Sequence, residues 1–166
     1  NDTLEGGVDN DRDYLYGGGG DDLLLSGQGG DYLHGDAGND TYLYQSGTGW
    51  NYIKQKGTAG ADTITFEAGI TRDDVTLKKS GDHLYVEVGN GGFRVDDWFN
   101  SSANELTTFQ FADGTSLGVA EMFAAGVVNQ GNGSNEYRYG HEGIDLMNGG
   151  DGADRLYGYG GNDTLE

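Results

Sequence analysis

The 166-residue chain has no cysteine and no proline. Without cysteine, disulfides and thiolate metal sites are excluded, although any compartment remains open. Basic side chains are scarce, nine Lys and Arg against 28 Asp and Glu, for a formal net charge of −19. Nucleic acid is thereby excluded as a partner, because no basic stripe exists to displace its counterions. No apolar run approaches the ~20 residues of a membrane-spanning helix, and no signal peptide opens the sequence. Highly acidic chains are often disordered. Here the carboxylates are mostly Asp and fall in register, which points to cation binding.

Glycine is abundant, at 33 residues, without the period of three that marks collagen, so the glycines serve turns. The period is nine. Asp22, Asp31 and Asp40 recur within a glycine-rich frame over 17–43, and Asp145, Asp154 and Asp163 do so over 140–166. In each unit six residues form a turn ending in Asp, and three form a minimal strand with one inward apolar residue. A fixed period of this kind means stacked identical units. Asp13 begins the nine-residue spacing, and steps of eleven lead from Asp2 to Asp13 and from Asp40 through Asn51 to Asp62. The predicted inward residues are Leu4, Leu15, Leu24, Leu33, Tyr42, Ile53 and Ile64, then Met147, Leu156 and Leu165. In the unit 131–139, Arg138 stands at the inward position and Glu136 at the Asp position, so this unit reads as a worn edge turn.

Three zones differ in texture: a first repeat block over 1–65, a β-rich stretch over 66–128, and a second repeat block over 129–166. The first and last are acidic. The middle holds four of the nine basic residues, among them Lys79 and Arg94, and alternates like antiparallel strands. Val75 and Leu77 precede a turn at Ser80-Gly81-Asp82; Leu84, Val86 and Val88 follow it. Phe93 and Val95, then Leu106, Phe109 and Phe111, make further strands. A short helix is expected over 117–125, capped by Thr115 or Ser116 and ending at Gly126. The pentapeptide Asn-Asp-Thr-Leu-Glu stands at both 1–5 and 162–166, so the chain reads as a piece of a longer array whose second block is cut short.

Calcium is a hard cation that takes six to eight oxygens at roughly 2.3–2.6 Å. A Gly-x-x-Gly-x-Asp turn offers carbonyls freed by glycine and one carboxylate. If successive strands alternate between two facing sheets, turns n and n+2 share an edge, with strands about 4.7–4.9 Å apart. Aspartates eighteen residues apart then repel unless a dication lies between them. The best pairs are Asp13 with Asp31, Asp22 with Asp40, and Asp145 with Asp163. Secondary pairs are Asp2 with Asp22, Asp40 with Asp62, and Glu136 with Asp154. The candidate ligand set is completed by Asp154 and by the turn glycines Gly17, Gly18, Gly20, Gly27, Gly29, Gly35, Gly38, Gly140, Gly143, Gly149, Gly150, Gly152, Gly158 and Gly161. One Leu-sized side chain per nine residues, several of them glycine, is too little burial to order a unit alone. Folding is therefore expected to be linked to calcium binding.

These repeats resemble the RTX family, the hemolysin-type calcium-binding repeat proteins. The stretch Ala61-Asp62-Thr63-Ile64-Thr65-Phe66 through Asp96-Asp97-Trp98-Phe99 to Asp113-Gly114-Thr115 resembles the segment that follows such blocks in many toxins and adhesins. The resemblance implies an all-β parallel β-roll stacked on several Ca²⁺ ions, with an intervening β-rich segment and one short helix. It implies a non-catalytic part of a larger bacterial polypeptide that leaves the cell unfolded by type I secretion. Alternatives are a module binding a glycan or cell-surface protein, and an accessory domain of an exported hydrolase.

Other motifs read as structural. Asp9-Asn10-Asp11-Arg12-Asp13 begins like an EF-hand loop, but Tyr14 and Gly20 stand where that loop needs Gly and Glu. His34, His83 and His141 share no metal-ligand spacing and read as surface residues. Gly17–Gly20 is followed by no helix and is not a nucleotide loop. Tyr14, Tyr16, Tyr32, Tyr137, Tyr139 and Tyr157 lie at outward positions, either as cross-strand ladders or as a face for sugars or a partner protein. Trp50, Trp98 and Phe99 read as core or junction residues.

Overall fold

The computed structural model describes residues 1–54, 60–100, 106–124, 126–131 and 133–166. Seven short strands open the chain: β1 (Thr3–Glu5), β2 (Tyr14–Gly19), β3 (Leu23–Leu25), β4 (Tyr32–Ala37), β5 (Thr41–Tyr44), β6 (Trp50–Ile53) and β7 (Asp62–Phe66). Odd-numbered strands pair in parallel in one sheet and even-numbered strands in another. The chain thus coils, each full turn taking two units. Leu15 sits beside Leu33 and Leu33 beside Ile53; Leu24 sits beside Tyr42 and Tyr42 beside Ile64. The eleven-residue steps keep this register, so their two extra residues are accommodated in the turns. Leu24, Leu33, Ile53 and Ile64 are fully buried, and Leu15 and Tyr42 nearly so. This is a parallel β-roll.

The later strands are β8 (Val75–Ser80), β9 (His83–Val88), β10 (Gly91–Val95), β11 (Leu106–Gln110), β12 (Ser116–Gly118), β13 (Val127–Gln130), β14 (Tyr137–Tyr139), β15 (Asp145–Asn148), β16 (Arg155–Tyr157) and β17 (Thr164–Leu165). β8 and β9 form the expected hairpin, and β10 runs antiparallel to β9. β10 also pairs in parallel with β6, and β11 with β7, so the middle stretch extends both sheets of the first roll. β13 joins β8 and carries β15 and β17, giving a nine-stranded sheet of order β17-β15-β13-β8-β9-β10-β6-β4-β2. The other large sheet has the order β1-β3-β5-β7-β11-β12, and β14 pairs with β16 apart from both. One core cluster runs from Leu15 to Val127, filled at its centre by Tyr44, Phe66, Phe93, Phe109 and Phe111.

The helix is shorter than its sequence signals. Ser116 and Leu117 belong to β12, where Leu117 sits beside Phe109 on β11. The α-helix α1 is Val119–Phe123, and its N-cap is Gly118, not Thr115 or Ser116. The Glu121 carboxylate accepts the Gly118 N–H and closes the first turn. Residue 125 lies outside the described residues. Cross-strand pairing with Phe109 overrides the local helix signal.

Candidate metal centres along the roll edges

Each turn ends in its Asp, the last residue before the strand or, for Asp62 and Asp145, the first residue of it, and the aspartates of one edge form a ladder. Oδ1 of Asp22 accepts the Asp2 N–H at 2.6 Å, Oδ1 of Asp40 the Asp22 N–H at 2.9 Å, and Oδ1 of Asp62 the Asp40 N–H at 2.9 Å. On the opposite edge Asp31 accepts from Asp13 at 2.9 Å and Asn51 from Asp31 at 3.0 Å. In the second block Asp154 accepts from Glu136 at 2.8 Å and Asp163 from Asp145 at 3.1 Å. All six sequence-derived pairs are thus neighbours. Asn51 continues the ladder where a carboxylate is missing.

The second oxygen is the informative one. Oδ2 of Asp13, Asp22 and Asp31 is buried and has no hydrogen-bond partner. An unsatisfied buried carboxylate oxygen is expensive and calls for a counter-charge. Burial pushes the Asp31 carboxyl above its usual range, and the charges of Asp13 and Asp9 push it the same way.

Glycine at the first turn position makes room for this oxygen. A Cβ on Gly17 would lie 2.4 Å from Asp22 Oδ2 and 2.9 Å from the Gly35 carbonyl oxygen of the next coil. Gly140 repeats the arrangement, 2.4 Å from Asp145 Oδ2 and 2.7 Å from the Gly158 oxygen. Gly35, Gly149 and Gly158 lie equally close to the carboxylates of Asp40, Asp154 and Asp163. The second and fourth positions bend the turn through left-handed backbone angles, as at Gly18 (φ 90°) and Gly20 (φ 108°). Gly27, Gly29, Gly38, Gly150, Gly152 and Gly161 do likewise, whereas Gly143 does not. The fourth-position glycines also press on carbonyls of the preceding coil: a Cβ on Gly38 would lie 2.1 Å from the Gly20 oxygen, and one on Gly161 2.2 Å from the Gly143 oxygen.

Carboxylate and carbonyl oxygens from two coils therefore converge on one cradle, the donor set that a hard dication requires. Among the described residues no group of three or more His, Asp or Glu side chains is placed to hold a metal. That fits a site built mainly from carbonyls, with one carboxylate oxygen offered per turn. The residues fit calcium: Asp13, Asp22 and Asp31 would supply their inward oxygens, and the first-position glycines their carbonyls.

Several contributors were not legible beforehand. Gly6 and Gly7 open the extended first turn: a Cβ on Gly6 would lie 3.2 Å from Asp13 Oδ2 and 2.1 Å from the Ser26 oxygen. Their signal is a Gly-Gly pair seven residues, rather than five, before Asp13. A second ladder runs at the fifth turn position. Asn1 Oδ1 accepts the Asp21 N–H, Asp21 Oδ1 the Asn39 N–H, and Asn39 Oδ1 the Ala61 N–H, each at 2.9 Å. His141 is not a surface residue. Its Nδ1 lies 2.8 Å from Asp145 Oδ1, its N–H donates to Asp145 Oδ2 at 2.8 Å, and its ring packs edge-on against Phe99 and Phe123. His83 accepts the Asp97 N–H at 3.0 Å, and His34 stacks on Tyr16 at 4.6 Å, so neither stands free on the surface. Trp98 is buried, and Phe99 is partly so.

Two of the outward tyrosines, Tyr14 and Tyr32, stack with Tyr52. Tyr14, Tyr32 and Tyr52 lie 5.2 and 4.7 Å apart, with Arg12 over Tyr32 and Arg94 over Tyr52. Tyr32 lies between two rings, whereas Tyr14, at the end of the stack, stays 58% exposed.

The profile described as RTX calcium-binding nonapeptide repeat matches residues 1–31, 11–42 and 130–166, and the haemolysin-type calcium binding protein related domain matches 83–121. The chain thus carries RTX-type nonapeptide repeats in two blocks around a haemolysin-related segment. A search of the curated proteins found no significant match. Among solved structures, the extracellular lipase LipA from Serratia marcescens shares the fold with a TM-score of 0.52 at 18% identity. That likeness covers 96% of this chain and 28% of the lipase.

Proposed function

We infer that this chain is a calcium-dependent folding module of a larger exported bacterial protein, structural rather than catalytic. The observation that carries the reading is the set of buried, unpartnered Oδ2 atoms on Asp13, Asp22 and Asp31, those of Asp13 and Asp22 beside the Ser26 and Gly35 carbonyls. Without a cation these carboxylates disfavour the stacked coils. With one, each site contributes about RT ln 11, ~1.4 kcal/mol, at ten times its dissociation constant. Extracellular calcium modules bind at roughly 10⁻⁴–10⁻³ M. Such sites stay empty in a cytosol and fill outside, so the chain remains unfolded for type I export and folds on arrival. The parent is then a toxin or adhesin. A second reading, an accessory segment of an exported hydrolase, is favoured by the extracellular lipase that shares the fold. Binding of a glycan through the tyrosine column of the first block is less favoured, because Tyr32 is stacked between Tyr14 and Tyr52.

Circular dichroism during calcium titration of chelator-treated protein tests the reading, with magnesium as control. Most of the β signal is expected to appear only with calcium, because magnesium demands a tighter octahedral shell. Full native signal in chelator would overturn it. Asp22→Ala combined with Asp40→Ala is expected to bind at least one ion fewer by isothermal titration; unchanged stoichiometry would refute that pairing.

A further inference from the structure

The two departures from the repeat in unit 131–139 are complementary. Glu136 keeps the ladder, its N–H donating to Asp154 Oδ1 at 2.8 Å. Its Oε2 occupies the cradle position: a Cβ on Gly131 would lie 2.8 Å from it and 2.0 Å from the Gly149 oxygen, as Gly17 would meet Asp22 and Gly35. In this unit the inward residue is Arg138, which sits beside Leu156 in register. Its Nη1 lies 3.2 Å from Glu136 Oε2, and its Nε donates to Asn129 Oδ1 at 2.9 Å. Asn129 is itself buried at the inward position of β13, beside Met147, and donates to the Tyr139 carbonyl at 3.0 Å. The guanidinium is thus fixed in a satisfied polar interior, which is what makes a half-buried charge tolerable.

A second cation serves the other edge. In intact units the first-position carbonyl faces the carboxylate of the preceding coil, as Gly35 faces Asp22. For Gly140 the preceding strand is β13, whose Val127 sits in register beside Asp145. Among the described residues, that position of the preceding coil holds Val127 and no carboxylate. Instead Lys79, from the β8–β9 hairpin, donates from Nζ to the Gly140 carbonyl at 2.6 Å, with its ammonium 4.8 Å from the Phe99 ring centre.

We propose that Arg138 and Lys79 are tethered counter-ions that replace calcium at the first coil of the second block, so that this block starts on a calcium-independent cap. The inference rests on the calcium reading above, because it assigns these two cradles a cation of the protein's own. It divides the repeat into sites that need the ion and a start that does not.

Two measurements on the full chain test it. Glu136→Asp with Arg138→Leu restores the repeat, and isothermal titration with calcium is expected to give one more ion per chain than the wild type. An unchanged stoichiometry would overturn the proposal. Hydrogen exchange in chelator supplies a readout that does not depend on that variant folding. Amides of Val127–Gln130 and Tyr137–Tyr139 are expected to stay protected in the wild type while those of Tyr14–Gly19 exchange freely. Arg138→Leu with Lys79→Met is expected to cut that protection by roughly tenfold or more, the weight of a charged hydrogen bond. Equal protection in both proteins, or none in the wild type, would sink the proposal. If the wild type bound no calcium, the proposed function would fail, whereas the exchange result would still decide whether these cations hold the cap.

Discussion

In the first block every inward residue from Leu15 to Ile64 is at most 5% exposed. In the second block the corresponding column begins with Asn129 and Arg138, buries Met147, and continues through a half-buried Leu156 to Leu165 at 48% exposure. The carboxylates differ in parallel. Asp13, Asp22 and Asp31 keep a buried oxygen without a partner, whereas Glu136 meets Arg138 and both oxygens of Asp145 meet His141. The period of nine sets the geometry in both blocks. The residues at the carboxylate and inward positions decide whether the counter-charge comes from solution or from the chain. A well-packed apolar column leaves no room for a tethered cation, so on the proposed reading the first block draws its counter-charge from the ion; a polar interior admits a cation of the chain's own.

Truncating the column should expose this contrast most strongly. Leu33→Ala removes a fully buried side chain and is expected to destabilise the calcium-loaded protein by about 2–5 kcal/mol in chemical denaturation. Leu156→Ala removes a half-buried one, at a cost of about 1 kcal/mol. Equal losses would mean that the two columns are equally packed, and the comparison would fail. Next in size is a pair of glycines in one turn. Gly17→Ala drives a Cβ to 2.4 Å from Asp22 Oδ2, whose partner oxygen is held by the Asp2 N–H. It is expected to cost about 1–3 kcal/mol, as overpacking does, and to weaken calcium binding. Gly19→Ala meets nothing within 4 Å, at a position where the next coil carries Ala37. It is expected to stabilise by about 0.4–1 kcal/mol through the unfolded chain. The same sign for both would show that the first-position glycine does not shape the cradle.

The roll was legible because a period of nine with one apolar residue per unit leaves little freedom. The column from Leu4 to Ile64, the eleven-residue steps and the six carboxylate pairs all follow from spacing. Pairings between distant segments did not follow. Lys79 reaches Gly140 across 61 residues, and no local pattern signals that contact. Glu136 and Arg138 each read as wear when taken singly; only the coil brings them together as a pair. The start of α1 was misplaced because Leu117 gains more from Phe109 across the sheet than from a helical turn. The fifth-position Asn and Asp were visible in the repeat, but their role in offering an oxygen to a coil 18–22 residues away needs the stacked geometry.

The smallest expected effect tests the first block's dependence on an outside charge without touching its packing. Asp31 binds its proton more tightly in the fold than in an open chain, because burial and the charges of Asp13 and Asp9 disfavour ionisation. Its contribution to the stability of the ion-free fold is therefore full below the ordinary value of 3.8 and is lost as the pH rises through the raised value. In chelator, thermal stability should climb as the pH falls from neutral toward that range. In saturating calcium the trend should reverse, since protons and the ion compete for one oxygen. Asp31→Asn keeps an oxygen for the Asp13 N–H, as Asn51 does for Asp31, and removes the charge. It should stabilise the ion-free protein at neutral pH while weakening calcium binding. An ion-free variant no more stable than the wild type would mean that the buried carboxylate is already neutralised from within, and the contrast between the two blocks would collapse.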